Sequence, residues 1–241
     1  MRKLILKMSI TLDGFVGGPN GEIDWIFKTM SEDAAAWTVD KISLAGAHLM
    51  GRKTFNDMAA YWPNSSEAFA APMNEIPKIV FSTKGFNPSQ KGESSAALKD
   101  AIRINRADGN NMVSTLPPSA RSWTEPKVIT GDLTEGIREL KEQSGKELVA
   151  HGGANFAQNL VQTGLIDEFW LLTHPVAIGR GLGLFAGLKR LMHLKPIETK
   201  IFSAGAVAHI YRSEIEARSD PSRRTADMER IGPEREAGRE R

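Results

Sequence analysis

Short apolar runs alternate with segments of helical periodicity along most of this chain. Residues 3–11 are rich in Leu and Ile and end at an Asp-Gly turn, which predicts a first strand. The pattern predicts an α/β fold with a mostly parallel central sheet, flanking helices and antiparallel C-terminal strands. Further strands are predicted at 47–51, 78–82, 127–130, 147–150 and 167–178 with a final pair in 194–205 and 206–216, and helices at 32–44, 52–62, 133–143 and 154–164.

Two segments depart from this alternation. Residues 85–126 are polar, rich in Ser, Asn and Lys, and contain Pro117-Pro118, which predicts an insertion or a mobile flap with one helix near 96–105. Residues 216–241 mix Arg with Asp and Glu and have few large apolar side chains. We therefore expect one domain over residues 1–215 and a disordered tail over 216–241.

Composition narrows the classes of function. The chain has 241 residues, 41% of them hydrophobic, and a net charge of +2, which does not predict a nucleic-acid partner. It has no cysteine, which excludes disulfides, thiolate metal sites and a cysteine nucleophile. The five histidines lack metal-ligand spacing, so no metal is expected. No apolar run is long enough for a signal peptide or a membrane span, so we expect a cytoplasmic protein.

The segment LMGRKTF, residues 49–55, is the first candidate binding site. Gly51 ends a predicted strand, and Arg52, Lys53 and Thr54 begin the next helix, whose free backbone N–H groups and dipole favour a phosphate. A glycine turn before a solvated basic helix start explains the same residues. Residues 46–54 nearly match a triphosphate-binding loop, but Arg52 stands where that motif needs lysine.

Two more segments follow predicted strands in the same way. In AHGGANF, residues 150–156, the pair Gly152-Gly153 lets the backbone approach a pyrophosphate at a helix start, although a plain glycine turn is equally simple. Ser82 and Thr83 end the strand KIVFS and offer hydroxyl groups for a ribose 2′-phosphate, or are an ordinary polar strand end. Ligands of open α/β sheets bind beyond the carboxyl ends of strands, so the order of the three segments is informative.

Together these segments resemble the dihydrofolate reductase-like superfamily. The chain is most similar to the reductase domain of the bacterial riboflavin-synthesis deaminase–reductase and its stand-alone relatives. The resemblance covers about residues 2–84 and 123–212. It rests on SITLDGFVG (9–17), LMGRKTF, KIVFST, VITGDLTEGIRELK (128–141) and the segment 151–185 from HGGANF to GLGLF.

The resemblance implies NADPH as the cofactor. Arg52, Ser82 and Thr83 would then lie near the adenosine 2′-phosphate, and Gly131 on the adenine side. The remaining implied cofactor contacts are Gly51, Lys53, Thr54, Gly152, Gly153, Ala154, Asn155 and Phe156. The loop GGPNGE (17–22), together with Asp13, Val16 and Trp25, would border or close the substrate site and exclude water.

The proton donor is less well defined by the resemblance. Folate reductases carry an acid on the first helix, which points to Asp33 or its neighbour Glu32, although both are also ordinary first-turn helix acids. Lys7 lies six residues before Asp13, a spacing similar to that of the riboflavin-pathway reductases, where the lysine positions the substrate. A strand lysine that faces solvent is the alternative, and Asp13 itself fits a simple turn.

These features favour an NADPH-dependent reductase of a small heterocyclic substrate, such as an aminopyrimidine ribose phosphate or a pterin. A non-catalytic nucleotide-binding protein that retains the fold is the alternative. A nucleic-acid binder is disfavoured by the acids interleaved in the tail. The resemblance also implies a homodimer, for which the apolar segment LGLF (182–185) offers a contact.

Overall fold

A single eight-stranded sheet organises the part of the chain that the computed structural model describes, namely residues 1–88, 94–107 and 118–214. The strand order is β4-β3-β2-β5-β1-β6-β8-β7. The six strands from β4 to β6 run parallel, whereas β8 and β7 are antiparallel to their neighbours. The strands are β1 Leu4–Thr11, β2 Ala47–Gly51, β3 Lys78–Phe81, β4 Lys127–Ile129, β5 Leu148–His151, β6 Glu168–His174, β7 His193–Ile201 and β8 Val207–Glu214. The predicted α/β class and sheet type are confirmed.

Seven α-helices connect or flank these strands. They are α1 Asp24–Thr29, α2 Glu32–Ser43, α3 Arg52–Tyr61, α4 Ala70–Glu75, α5 Ala96–Ala107, α6 Leu133–Glu142 and α7 Ala154–Thr163, with 3₁₀ turns at Trp62–Asn64 and Pro118–Trp123. The short helices α1 and α4 were not predicted. The predicted strand 167–178 is too long, since β6 ends at His174 and Pro175 follows.

The sheet buries a hydrophobic core on each face. Helices α6 and α7 cover the face that carries Leu4, Leu6 and Ala150. Helix α2 packs Trp37 against Ile5 on the opposite face, where α3 and α4 complete a third cluster. This alternation along β1 places Lys7 on the face covered by α2, which we call the α2 face.

The described parts of residues 85–126 pack on the domain. Helix α5, predicted at about this position, buries Leu98, and its Asp100 accepts a hydrogen bond from the backbone N–H of Ile23 at 3.2 Å. Further along, Ala120 and Trp123 are buried in the third cluster. In these ranges the packing favours an insertion that folds onto the domain. The predicted disordered tail, residues 216–241, lies outside the described residues.

The segment LGLF also lies inside the fold. Leu184 is buried, and the ring of Phe185 contacts that of Phe169 in the core with centroids 5.9 Å apart. The backbone of Leu182 pairs with Val16 and Gly17. The burial of this segment therefore does not favour a subunit contact through its apolar side chains. Among the described residues, no helix is both long enough and apolar enough to cross a bilayer.

Candidate functional site

Two glycine turns meet where β2 and β5 end. Gly51 precedes α3 and Gly153 precedes α7, and the backbone N–H of Gly153 donates to Oγ1 of Thr54 at 2.7 Å. The start of α7 is therefore tied directly to the first turn of α3. Since Oγ1 accepts this bond, the hydroxyl hydrogen of Thr54 stays available to donate.

The backbone approaches neighbouring side chains closely at the second turn. A Cβ atom on Gly152 would lie 2.9 Å from Cε of Met8, and one on Gly153 would lie 2.7 Å from Oγ1 of Thr54. Neither separation is compatible with normal van der Waals contact. A side chain at 153 would displace Oγ1 of Thr54 from its bond to the backbone, whereas one at 152 would displace the flexible end of Met8.

The predicted cofactor residues lie at the ends of four adjacent strands, β4, β3, β2 and β5. Arg52 and Lys53 are exposed on the first turn of α3. Beside them, Ser82 donates to the carbonyl of Gly85 at 2.7 Å and Thr83 is exposed. The other members are Gly131 with φ +96°, Asn155 on the exposed start of α7, Ala154 partly buried beside it, and Phe156, whose ring contacts Phe81 at 5.5 Å between centroids.

The loop after β1 is held by Asp13. Its carboxylate accepts from the hydroxyl of Thr11 at 2.5 Å and from the backbone N–H groups of Ile178 and Gly179 at 3.0 and 2.8 Å. These bonds lower the pKa of Asp13, with the bond from Thr11 as the largest cause. Val16 is buried next to this loop. Asp13 therefore fastens two loops at the carboxyl end of the sheet.

Trp25 of α1 is buried against His174, which ends β6. Their ring centroids are 5.2 Å apart with the planes at 75°. Oγ1 of Thr29 donates to the carbonyl of Trp25 at 3.0 Å and lies 2.7 Å from Nδ1 of His174. Because the hydroxyl has one hydrogen, we assign the hydrogen of His174 to Nδ1, which lets Thr29 donate to Trp25 and accept from the ring, and Nε2 then has a lone pair.

Two buried atoms of this pair lack a hydrogen-bond partner among the described residues, Nε1 of Trp25 and Nε2 of His174. Burial, and to a lesser extent the charge of Lys7, lowers the pKa of His174 to about 4, so the ring is neutral at physiological pH. An unsatisfied buried polar atom costs about 1–3 kcal/mol. Such atoms are rare in folded proteins and call for an explanation.

Lys7 lies between His151 of β5 and Trp170 of β6, its register partners in the sheet. Its side chain is only partly exposed, and burial lowers its pKa to about 8. Among the described residues no carboxylate, carbonyl or hydroxyl pairs with its ammonium group. Lys7 therefore does not face open solvent as a simple strand lysine would, and its proton is exchangeable near neutral pH.

Two histidines lie beside Lys7 on the same face of the sheet, with His151 next to Lys7 and His48 next to His151. Nε2 of His48 contacts the carbonyl of Pro72 at 3.2 Å, and Nδ1 of His48 contacts Nε2 of His151 at 2.8 Å. Burial lowers the pKa of His48 to about 3, with the charge of Lys78 as a second cause, so the ring is neutral. A carbonyl only accepts, so the His48 hydrogen is on Nε2, and His151 must donate from Nε2. Nδ1 of His151 is then an acceptor.

Asp33 lies exposed at the start of α2, at the turn between β7 and β8. Its carboxylate accepts from the backbone N–H and the hydroxyl of Ser203 at 3.0 and 2.9 Å. The neighbouring hydroxyl of Ser31, followed by the bonds from Ser203, lowers the pKa of Asp33 to about 2. In this position Asp33 is a carboxylate that links α2 to the C-terminal hairpin.

The family model for the RibD C-terminal domain matches residues 2–208 of this chain. The chain belongs to this family. Uncharacterized protein YyaP of Bacillus subtilis (strain 168) is 30% identical over 210 residues, which cover 87% of this chain and 94% of YyaP. The resemblance to the riboflavin-pathway reductase domain is thereby confirmed.

Solved structures show the same fold as this RibD C-terminal domain protein. A Shewanella sp. PV-4 protein described as a riboflavin biosynthesis protein superposes with a TM-score of 0.60 at 17% identity, covering 89% of this chain and 99% of that one. The deaminase/reductase of Thermotoga maritima superposes with a TM-score of 0.56 at 17% identity, covering 88% of this chain and 56% of the enzyme. At these identities the likeness concerns the fold.

Some residues of this RibD C-terminal domain protein were not singled out from the sequence. His174 and Thr29 are 145 positions apart, and no local pattern connects them. His48 and His151 belong to strands that are adjacent in space and separated by 103 residues. Their only sequence signal is a polar residue inside an apolar strand. Among the described residues, no group of three or more His, Cys, Asp or Glu side chains could hold a metal.

Proposed function

We propose that this chain is an NADPH-dependent reductase of a small heterocyclic substrate, similar to 5-amino-6-(5-phosphoribosylamino)uracil reductase. The observation that carries the proposal is the junction of the two glycine turns through Thr54 and Gly153 at the carboxyl ends of β2 and β5. This junction lies on the same edge of the sheet as Lys7, His151 and His174. Membership of the RibD C-terminal domain family supports the same reading.

The residues of this edge fit a dinucleotide that carries phosphates. The starts of α3 and α7 direct backbone N–H groups and positive dipole ends outward. Exposed Arg52 and Lys53 supply positive charge next to them. We assign the pyrophosphate to the two helix starts and the 2′-phosphate to Arg52 with the hydroxyls of Ser82 and Thr83. When bound, NADPH supplies the hydride.

Lys7 is the group that we assign to proton transfer and substrate positioning. Its pKa of about 8 leaves it mostly protonated at neutral pH yet able to release the proton. His151 offers an acceptor nitrogen next to it, fixed by the hydrogen bond to His48. Asp33, the other candidate, is held as a carboxylate by Ser31 and Ser203 and is a poor acid.

Two measurements test the cofactor assignment. NADPH is expected to raise the melting temperature more than NADH does, because only NADPH has the 2′-phosphate. Replacement of Arg52 with Ala should weaken NADPH binding far more than NADH binding. Lys127→Ala, an exposed basic residue at the start of β4, is the matched control. Equal loss for both nucleotides in the Arg52 variant would contradict the 2′-phosphate assignment.

Enzymatic reduction is tested separately from binding. Purified protein with NADPH is screened against pterins and aminouracils, with and without a ribose phosphate, for loss of the near-ultraviolet absorbance of NADPH. Turnover with one member supports the reductase. NADPH binding without turnover across the panel favours the alternative, a non-catalytic nucleotide-binding protein that retains the fold.

The proposal includes a cytoplasmic homodimer. Leu191 and Ile201 are exposed apolar side chains close to or within the edge strand β7, and a second copy would cover them. Light scattering of the purified protein gives the mass in solution. A monomer at micromolar concentration would remove the dimer from the proposal and leave the reductase unaffected.

A further inference from the structure

The site contains a donor and an acceptor that the protein itself leaves unused. Nε1 of Trp25 is a hydrogen-bond donor, and Nε2 of His174 is an acceptor in the tautomer set by Thr29. Trp25 is 6% exposed and His174 is 0% exposed. The two rings, one from α1 and one from the end of β6, are in contact with their centroids 5.2 Å apart.

This region is part of the same site as Lys7. Residues 7, 170 and 174 lie on one face of the sheet because Lys7 pairs with Trp170, and His174 follows four positions later on β6. Burial, and to a lesser extent the charge of Lys7, lowers the pKa of His174. Both atoms are buried, so a substrate beside Lys7 can reach them only if α1 moves outward.

We propose that Trp25 and His174 form a specificity pair that recognises a planar heterocycle through one ring carbonyl and one adjacent ring N–H. The carbonyl oxygen accepts from Nε1 of Trp25, and the ring N–H donates to Nε2 of His174. This inference rests on the proposed function, since it deepens the substrate side of that site. It predicts that alkylation of the ring N–H abolishes recognition.

The tautomer of His174 is the basis of this selectivity. Oγ1 of Thr29 accepts from Nδ1 of His174 because its own hydrogen is donated to the carbonyl of Trp25. Without that acceptor the hydrogen can move to Nε2, and His174 then presents a donor instead. Thr29 is thus a positioning residue that sets the polarity of His174 without contacting the ligand.

Binding calorimetry with a matched pair of probes tests the inference. The probes are 5,6-diaminouracil and 5,6-diamino-1,3-dimethyluracil, which share the carbonyl groups but differ in the ring N–H groups. The wild type, with NADPH present, is expected to bind the parent compound at least about tenfold more tightly. Trp25→Phe should weaken the binding of both probes. His174→Phe and Thr29→Val should weaken only the parent and so reduce the preference.

Trp37→Phe is the matched control, because Nε1 of Trp37 already has a partner in Glu198 at 3.3 Å. Its affinity for both probes should equal that of the wild type. Circular dichroism of each variant identifies any that fail to fold, and Thr29→Val keeps the test decisive if His174→Phe does. A preference that survives in folded Thr29→Val or His174→Phe overturns the inference, as does the absence of binding of the parent probe to the wild type. The cofactor assignment is judged independently by NADPH stabilisation.

Discussion

Two lysines on the α2 face of the sheet, Lys7 on β1 and Lys78 on β3, lie in different surroundings, since Lys7 is partly exposed and Lys78 is buried. Burial lowers the pKa of both, to about 8 for Lys7 and about 7 for Lys78. His48 and His151 lie on the two strands between them. The ammonium group of Lys78 donates to the carbonyl of Ile76 and to Ser122 at 3.0 Å, whereas Lys7 is unpaired within the described residues.

The polar groups around Lys78 are joined in one hydrogen-bonded network. Its Nζ lies 4.4 Å from the ring centroid of Trp123, and Nε1 of Trp123 donates to Oδ1 of Asn74 at 2.8 Å. Ser122 donates to the carbonyl of Asn74 at 2.5 Å. These bonds fasten the end of the 85–126 segment to the sheet. A depressed lysine pKa by itself therefore does not identify a functional site, and the proposed role of Lys7 rests on its missing partner.

Replacement of Lys7 with Met gives the largest expected effect. If Lys7 donates the proton, kcat should fall by about 10²–10⁴-fold, the usual contribution of a general acid. Lys78→Met is the matched control and should retain most of the activity. Steady-state rates with saturating NADPH measure both. Comparable losses of kcat in the two folded variants would contradict the prediction that only Lys7 takes part in the reaction.

The pH dependence of stability is the next largest effect. Lys78 binds its proton more weakly in the folded state, with a pKa of about 7, than in the unfolded chain, where the ordinary value is 10.5. The unfolded chain therefore holds more protons between these values, so the free energy of unfolding rises with pH there. Between pH 7 and 9 this rise should be about 2–3 kcal/mol larger in the wild type than in Lys78→Met. Urea denaturation at several pH values measures the free energy of unfolding of both proteins. If it changes equally with pH in the wild type and in Lys78→Met, the prediction is wrong.

Activity should also depend on pH, through Lys7. With a pKa of about 8, Lys7 loses its proton above that pH, and kcat/KM should then fall by about tenfold for each pH unit. Lys78→Met should show the same profile because Lys78 does not contact the site. A profile that stays flat from pH 7 to 10 would exclude Lys7 as the proton donor.

The smallest effect concerns the network around Lys78. Ser122→Ala removes one acceptor of the ammonium group and one donor to Asn74, so the free energy of unfolding should fall by about 1 kcal/mol with kcat unchanged. Chemical denaturation measures the loss. Thr124→Ala, an exposed neighbour, serves as the control, and a larger loss there than at Ser122 would be inconsistent with the network.

Periodicity predicted the sheet well because each strand has its own apolar run. The strands from β1 to β5 lie within a few residues of their predicted bounds. Helices α1 and α4 are only six residues long, too short to show a helical repeat, and their formation depends on tertiary contacts. The packing of α5 could not be predicted either, because Asp100 accepts a hydrogen bond from the backbone N–H of Ile23, which lies 77 positions away in the sequence.

The candidate site was predictable only in part. The candidates Gly51, Thr54 and the Gly152-Gly153 pair were predictable because a glycine before a predicted helix start indicates a possible phosphate site from local sequence alone. The partners of Lys7, His174 and Asp33 are set by the fold, so the difference between Lys7 and Lys78 could not be read from two similar strands. The assignments of NADPH contacts and of Lys7 stay predictions until they are measured.

The contact between α5 and α1 has a consequence for how this protein can diverge. Helix α1 carries Trp25, and its entry at Ile23 is held by Asp100 of α5, which lies between β3 and β4 in the chain. Two hydrogen bonds join the α5 region to α3, and they lie in the later turns of α3, at Asp57 and Tyr61, and not at the glycine turns. Exchange of residues in the segment around α5 is thus expected to shift α1 and Trp25 while the sequence of the glycine turns stays intact.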